Sequence, residues 1–263
     1  MTRYHMIIAY DGTAYYGWQV QPHHRTVQQT LEDALERLFG ARPRVHASGR
    51  TDTGVHARGQ SVHFDAPRTM EAADIRNALN AFLPPDVRVM KTRRVPSGFH
   101  ARYDATGKEY RYFIWDGPVL PPHRRHTHHH VPRRLDVEAM EQGAAALIGR
   151  HDFTAFAAWP KKTVENPVRT IDSLRIRRHG HETTIAVRGD GFLYKMVRSL
   201  AGYLIRIGTG ERRPDDVKPV LESAERTAEV PTAPGHGLVL WRVTYGTTSG
   251  IRRIPLPRAS PEG

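Results

Sequence analysis

The sequence predicts an α+β fold: two ferredoxin-like halves with largely antiparallel sheets, joined around a central cleft. Three observations predict it. Short runs alternate apolar and polar residues, as strands do, and the segments between them carry apolar residues at helical spacing. The order β-α-β-β-α-β can be read twice, over 1–104 and again over 105–245. Runs of strands are separated by helices, with hairpins inside, which argues for antiparallel pairing.

Taken in order, residues 4–10 (YHMIIAY) read as a strand ended by Asp11-Gly12. Thr26-Val27-Gln28-Gln29 has the spacing of a capping box. It opens a helix with Val27, Leu31, Ala34, Leu35 and Leu38 on one face. A short strand is expected at 43–47 and an alternating one around Ser61-Val62-His63-Phe64. A helix over about 71–82 stops at Pro84-Pro85, and a strand at 87–95 closes the half.

The second half repeats this order with one added helix. Residues 108–115 alternate as a strand, and Asp136 caps a helix to about 148. Strands fit 169–178 and 182–188, with a hairpin at His179-Gly180-His181. Helices fit 192–207 and 214–224, and 238–245 is the closing strand. Residues 158–167 and 117–134 read as excursions. The latter holds His123, His126, His128, His129 and His130. No metal-ligand spacing or carboxylate partner stands out there, so a basic, solvated loop is expected. Residues 246–263 read as a loosely ordered basic tail.

Composition narrows the function. The 263 residues include no cysteine, which excludes disulfides, thiol nucleophiles and zinc-thiolate or iron–sulfur sites and agrees with a cytoplasmic home. No apolar run approaches the roughly 18 residues of a membrane span, and the N-terminus lacks a secretory pattern. Lys and Arg number 39 against 27 Asp and Glu, a net charge of +12. The excess is spread along the chain, which suits a broad surface for a polyanion such as nucleic acid. An Arg-rich proteome is the bland alternative, since 33 of the 39 are Arg.

The stretch Gly49-Arg50-Thr51-Asp52-Thr53-Gly54-Val55-His56-Ala57 sets one carboxylate in a Gly-flanked turn, a setting that carries function more often than framework. Asp52-Thr53-Gly54 spells the motif of aspartic proteases. Those need two carboxylates sharing a proton, whereas the motif occurs once here, beside Arg50, after a polar stretch. A plain Asx-type turn is the structural alternative.

The full nine-residue string resembles the signature of the tRNA pseudouridine synthase A family. Further segments share the resemblance in family order. They are Tyr10-Asp11-Gly12-Thr13 with Tyr15-Tyr16-Gly17-Trp18-Gln19; Phe99-His100-Ala101-Arg102-Tyr103 through Tyr110-Arg111-Tyr112; Asp152-Phe153-Thr154 with Phe156; Phe192 with Met196-Val197-Arg198, Leu200 and Gly202; and Gly237-Leu238 with Leu240. The family's fold, two ferredoxin-like halves around a cleft, agrees with the repeat.

The resemblance implies an isomerase that breaks the C1′–N1 bond of a uridine, turns the uracil and rejoins it through C5, with no cofactor and no metal. It makes Asp52 the catalytic carboxylate, acting either as nucleophile at C1′ or in glycal formation. Arg198 matches its ion-pair partner, and Tyr110 matches the active-site tyrosine, favoured over Tyr112 by motif register. Leu238 would wall the base. Arg50, His56 and Arg58 would meet RNA around a flipped uridine or merely pin the loop. The implied partner is the tRNA anticodon stem-loop at positions 38–40, and the implied assembly a homodimer. Thr53 and the basic tail depart from the plainest family pattern. Two alternatives stay open: a synthase with another RNA target, and a non-catalytic RNA-binding protein. The latter is weakened because neither half carries the stacking motif of RRM sheets.

Overall fold

The computed structural model describes residues 1–158 and 166–246. Most of the expected loop 158–167, and the tail beyond 246, lie outside the described residues. The first half supplies β1 (Thr2–Tyr10), α1 (Val27–Phe39), β2 (His46–Ala47), β3 (His56–Ala66), α2 (Ala72–Phe82) and β4 (Val87–Arg94). The second supplies β5 (Ala105–Trp115), β6 (His129–His130), α3 (Val137–Ala145), β7 (Gly149–Asp152), β8 (Val168–His179), β9 (Glu182–Gly189), α4 (Met196–Gly208), α5 (Val217–Glu222) and β10 (Leu238–Tyr245). The fold is α+β, as the sequence predicts.

One sheet runs β4-β1-β3-β10-β5-β9-β8-β7. Within β10-β5-β9-β8 every neighbour is antiparallel. Counted from β5, that is the fourth, first, third and second strand of a β-α-β-β-α-β unit, the ferredoxin-like order. β4-β1-β3 repeats the first three places of the same order, also antiparallel. The halves join where β10 lies parallel to β3, pairing Val239 with His56 and Leu240 with Ala57.

That joint changes the expected strand at 43–47. Only His46 and Ala47 pair, against His63 and Val62 of β3, while β10 takes the N-terminal part of the same strand at His56 and Ala57. The Val45 backbone N–H is satisfied differently, by the Glu32 carboxylate of α1 at 3.0 Å. Three other boundaries differ. The helix expected from 192 begins at Met196, because Lys195 is left-handed at φ 56° and cannot extend an α-helix. The helix expected to 148 stops at Ala145, and Gly149–Asp152 becomes an edge strand on β8. The 214–224 helix divides into a 3-10 turn at Pro214–Asp216 and α5.

The His-rich excursion is a solvated loop only in part: His123 and His126 are exposed, but 128–130 are tied to the sheet. His128 is buried and bonded through Nε2 to the Glu182 carboxylate at 3.0 Å, with Arg124 on the same carboxylate. His129 and His130 pair alongside Ile114 and Trp115 of β5. The counter-ion comes from the β8–β9 hairpin, far along the chain, so local sequence does not reveal it.

The N-cap of α1 is as expected: Thr26 Oγ1 accepts from the Gln29 N–H at 3.4 Å. Val27, Leu31, Ala34 and Leu35 are buried, with Leu38 packed against the same core. That core is continuous across both halves. Met6, Ile8, Val62 and Phe64 join Leu31, Leu35, Ile75 and Leu79, then Tyr112, Ile185, Val187, Leu200 and Leu204.

Several buried histidines are held neutral. Burial, with Arg93 and His63 adding, lowers His5 to about 3. Burial, with the neighbouring His100, His46 and Arg3, lowers His63 to about 4. Burial, with His236 and His130, lowers His129 to about 4. An unfolded chain protonates such rings near pH 6.5, and the folded protein does not until well below it. The unfolded state therefore binds more protons in that window, and folding loses stability as pH falls from about 6.5 toward 4. Denaturant unfolding at pH 7, 6, 5 and 4 should show a falling midpoint over this range. A His5→Gln, His129→Gln variant should show a shallower fall, and an equal one would remove the histidines as its cause.

Candidate active site

Thr51 to Val55 form a turn closed by Val55 N–H on Asp52 O at 3.1 Å, with Gly54 at φ +75°. The segment 12–18 grips this turn from one side. Trp18 N–H bonds Thr51 O at 3.0 Å, Gly54 N–H bonds Tyr15 O at 3.3 Å, and the Tyr10 hydroxyl meets Thr51 Oγ1 at 2.8 Å. Two glycines permit the approach. A Cβ on Gly12 would lie 2.1 Å from Val55 O, and one on Gly17 would lie 2.6 Å from Thr51 O. The segment 233–237 grips it from the other side, where a Cβ on Gly235 would lie 2.6 Å from Thr53 O.

Asp52 is partly buried, and its Oδ2 accepts from Arg198 Nη1 at 2.8 Å. Arg198 stands in the first turn of α4, in the other half of the chain. Its Nε donates to Ala233 O at 2.7 Å, and its own carbonyl accepts from Ala233 N–H at 3.0 Å. One guanidinium thus orients the carboxylate and pins the strap leading into β10.

Tyr110 lies in β5 opposite Leu240 of β10 and Val187 of β9, its ring edge-on to Phe192 at 5.4 Å. Burial pushes its phenol well up, with Tyr10 and Asp52 adding, so it stays protonated. Tyr112, two residues on, is fully buried and donates its hydroxyl to Pro234 O at 3.0 Å. A Cβ on Gly237 would press its ring at 2.7 Å. Tyr112 is thus committed to holding the strap, while Tyr110 faces the Asp52 charge.

Asp52, Arg198 and Tyr110 therefore come together, from β2–β3, α4 and β5. Leu238 is buried at the start of β10, across from Tyr112. Arg50 is exposed on the chain leading into the turn. His56 is buried, with Nδ1 accepting from Gly12 N–H at 3.0 Å and Nε2 against His236 O at 3.1 Å, so it braces the turn from beneath. Arg58 is not brought to the carboxylate. Its guanidinium lies 4.3 Å over the Trp241 ring, beside Arg111 at 3.8 Å over the same ring. Arg111 follows Tyr110 in a strand and so points to the opposite face. His236 is a brace the sequence reading did not single out. Its carbonyl meets His56, and its Nε2 meets His128 O at 3.1 Å, coupling the His-rich segment to the turn. A lone His between two glycines carries no periodic signal that would have marked it.

Ring nitrogens of His46, His63 and His100 lie within 4.8 Å of one another. His63 Nδ1 accepts from Ala101 N–H at 3.1 Å, and His100 Nδ1 from Arg102 N–H at 3.1 Å. In a neutral ring the proton then sits on Nε2. Those two histidines offer N–H groups inward rather than the lone pairs a metal needs.

A family model described as tRNA pseudouridine synthase matches residues 6–104 and 144–246. The tRNA pseudouridine synthase A of Halalkalibacterium halodurans is 47% identical over 243 residues, covering 92% of this chain and 92% of that protein. The Shouchella clausii protein of the same name is 45% identical over 256 residues, 97% of this chain and 98% of its own. The Bacillus subtilis one is 46% identical over 240 residues, 90% and 97% respectively.

The grip on the turn is open to a paired measurement. Gly17 at φ +82° and Gly40 at φ +70° carry the same backbone strain on substitution, but a Cβ at 40 meets nothing within 4 Å. Gly40→Ala should cost about 1 kcal/mol in equilibrium unfolding, and Gly17→Ala about 3 kcal/mol, since the Thr51 backbone must also give way. Equal costs would mean that the 12–18 segment does not fix the turn.

Proposed function

The chain belongs to the tRNA pseudouridine synthase family, and from that premise we propose that it isomerises uridine to pseudouridine in the tRNA anticodon stem-loop, at positions 38–40, with Asp52 as the catalytic carboxylate. The observation that carries this reading is the 2.8 Å contact between Asp52 and Arg198, made across the two halves beside a protonated Tyr110.

The chemistry conserves every atom. The C1′–N1 bond breaks, the uracil turns, and C5 bonds to C1′; C5 then gives up a proton and N1 gains one. No redox partner is needed. Asp52 works either by attacking C1′ or by drawing a proton from the sugar as a glycal forms, and either role needs a fixed, ionised carboxylate. Arg198 holds that carboxylate at one oxygen and leaves the other for substrate. The Tyr110 ring gives the turned base a flat surface. Its hydroxyl, kept protonated by burial, suits a group that passes a proton while remaining neutral. Leu238 and its neighbour Leu240 close the apolar side. The uridine must leave its stack to reach Asp52, and exposed Arg50 is placed to hold the flanking strand as it does.

In this reading residues 1–104 and 105–245 are the two halves that face each other across the RNA, the enzyme is a homodimer, and the cytoplasm is its compartment. Asp52→Ala should abolish pseudouridine in a uridine-containing anticodon stem-loop, read by sequencing after carbodiimide treatment. Its affinity for the tRNA should stay within about threefold, since backbone contacts carry most of the binding. Undiminished product in that variant, or product only outside positions 38–40, would overturn the assignment.

A further inference from the structure

Among the described residues, Lys108 is a cation with no counter-charge. It lies in β5, two residues before Tyr110, so both side chains leave the same face of the strand. Its ammonium is partly buried and donates to Ser48 O at 2.8 Å. Among the described residues that is its one hydrogen bond, and no carboxylate pairs with it. Glu109, next in sequence, is taken by Arg111 and Arg242 on the opposite face. An ammonium carries three protons, which leaves two without an acceptor.

The charges that bear on Lys108 are also positive. Arg102 comes from the turn before β5, and Arg169 from β8. Neither forms an ion pair among the described residues; Arg169 spends its Nη1 on the carbonyls of Asn166 and Val168. Burial, with these two guanidiniums, lowers the ammonium to about 8. A half-buried Lys that feels two Arg and, among the described residues, is paired with no acid is an unfavourable arrangement for the protein alone. It becomes favourable once an anion enters.

The backbone beside it is held open. Gln60 Nε2 bonds Gly49 O and Ser48 Oγ bonds Gln60 Oε1, both at 2.8 Å, so 48–49 is fixed at the root of the loop that bears Asp52. A Cβ on Gly49 would lie 3.0 Å from Lys108 Nζ, so a side chain there would crowd the ammonium.

We propose that Lys108, with Arg102 and Arg169, forms a subsite for a backbone phosphate of the RNA strand, next to the pocket that takes the target uridine. It rests on the uridine-isomerising reading of that pocket. Along one face of β5, Tyr110 meets the base and Lys108 meets the phosphodiester beside it, so one strand sets both the base and its backbone.

The test uses the full chain and a tRNA transcript, with Kd measured between 50 and 200 mM salt and pseudouridine formation measured at saturating enzyme. Lys108→Gln should weaken binding about tenfold at low salt and reduce the slope of log Kd against log salt by about 1. Lys108→Arg should restore the slope. Arg102→Gln, on an exposed turn where folding is not at stake, should reduce the slope in the same sense. An unchanged slope in both Gln variants, with turnover lost in Lys108→Gln, would overturn the subsite and leave Lys108 as a positioning residue for the 48–50 backbone. If the unaltered protein binds tRNA with the predicted charge dependence but forms no pseudouridine, the phosphate subsite stands and the reading of the Asp52 pocket falls.

Discussion

The parallel pairing of β10 with β3 is the contact on which the site depends. It covers only two residue pairs, His56 with Val239 and Ala57 with Leu240, yet it turns two half-sheets into one. His56 is the fourth residue after Asp52, so the joint lies directly behind the Asp52 turn. β10 in turn pairs with β5, which sets Tyr110 opposite Leu240. Asp52 and Tyr110 thus face each other because a single strand stands between the strands that carry them. Arg198 completes the arrangement, because it fixes both Asp52 and the strap that feeds β10 into its slot.

Two groups of cations stand apart on the two faces of β5. Around Asp52 the cations are few and held in place: Arg198, Lys108 and the exposed Arg50. On the face of β5 turned away from Tyr110, a groove of about 450 Å³ is lined by Arg111, Arg175, Arg177, Arg188 and Arg242 with Glu109 as its acid. Arg58 and Arg111 stack on Trp241 at its edge. The first surface is compact and gathered at one carboxylate; the second is a diffuse positive field of the kind that steers a polyanion.

Much of this was legible in the sequence, for reasons that can be named. Alternation in 108–115 and the stripe Val27, Leu31, Leu35 are local patterns, and the core confirms the face each predicts. The Thr26 cap is likewise local. What escaped reading was decided at a distance. β2 is two residues long, and the Val45 N–H before it goes to the Glu32 side chain of α1 rather than to a strand. The His-rich stretch is tied down by Glu182 from a hairpin it does not adjoin. Lys195 breaks α4 with a left-handed backbone that a lysine does not advertise. At the site, the turn residues marked Asp52, but its pairing with Arg198 was visible only through family resemblance, since no spacing rule links 52 to 198. Lys108 shares the face of Tyr110, Tyr112 and Ile114 by alternation, but nothing in the local sequence shows that no acid comes to meet it.

The place of β10 has a consequence for how the chain is made. Synthesis proceeds from the N-terminus, and β3 leaves the ribosome long before its neighbour does. Roughly 180 residues separate Ala57 from Leu238, which at about 5–20 residues per second is roughly 10–40 s of translation. Through that interval the first half presents the N-terminal part of β3 as an unpaired edge, open to the wrong partner. The Asp52 turn then has neither Arg198 nor the Tyr110 wall fixed against it. The Asp52 turn therefore reaches its full set of contacts only when β10 has taken its place between β3 and β5.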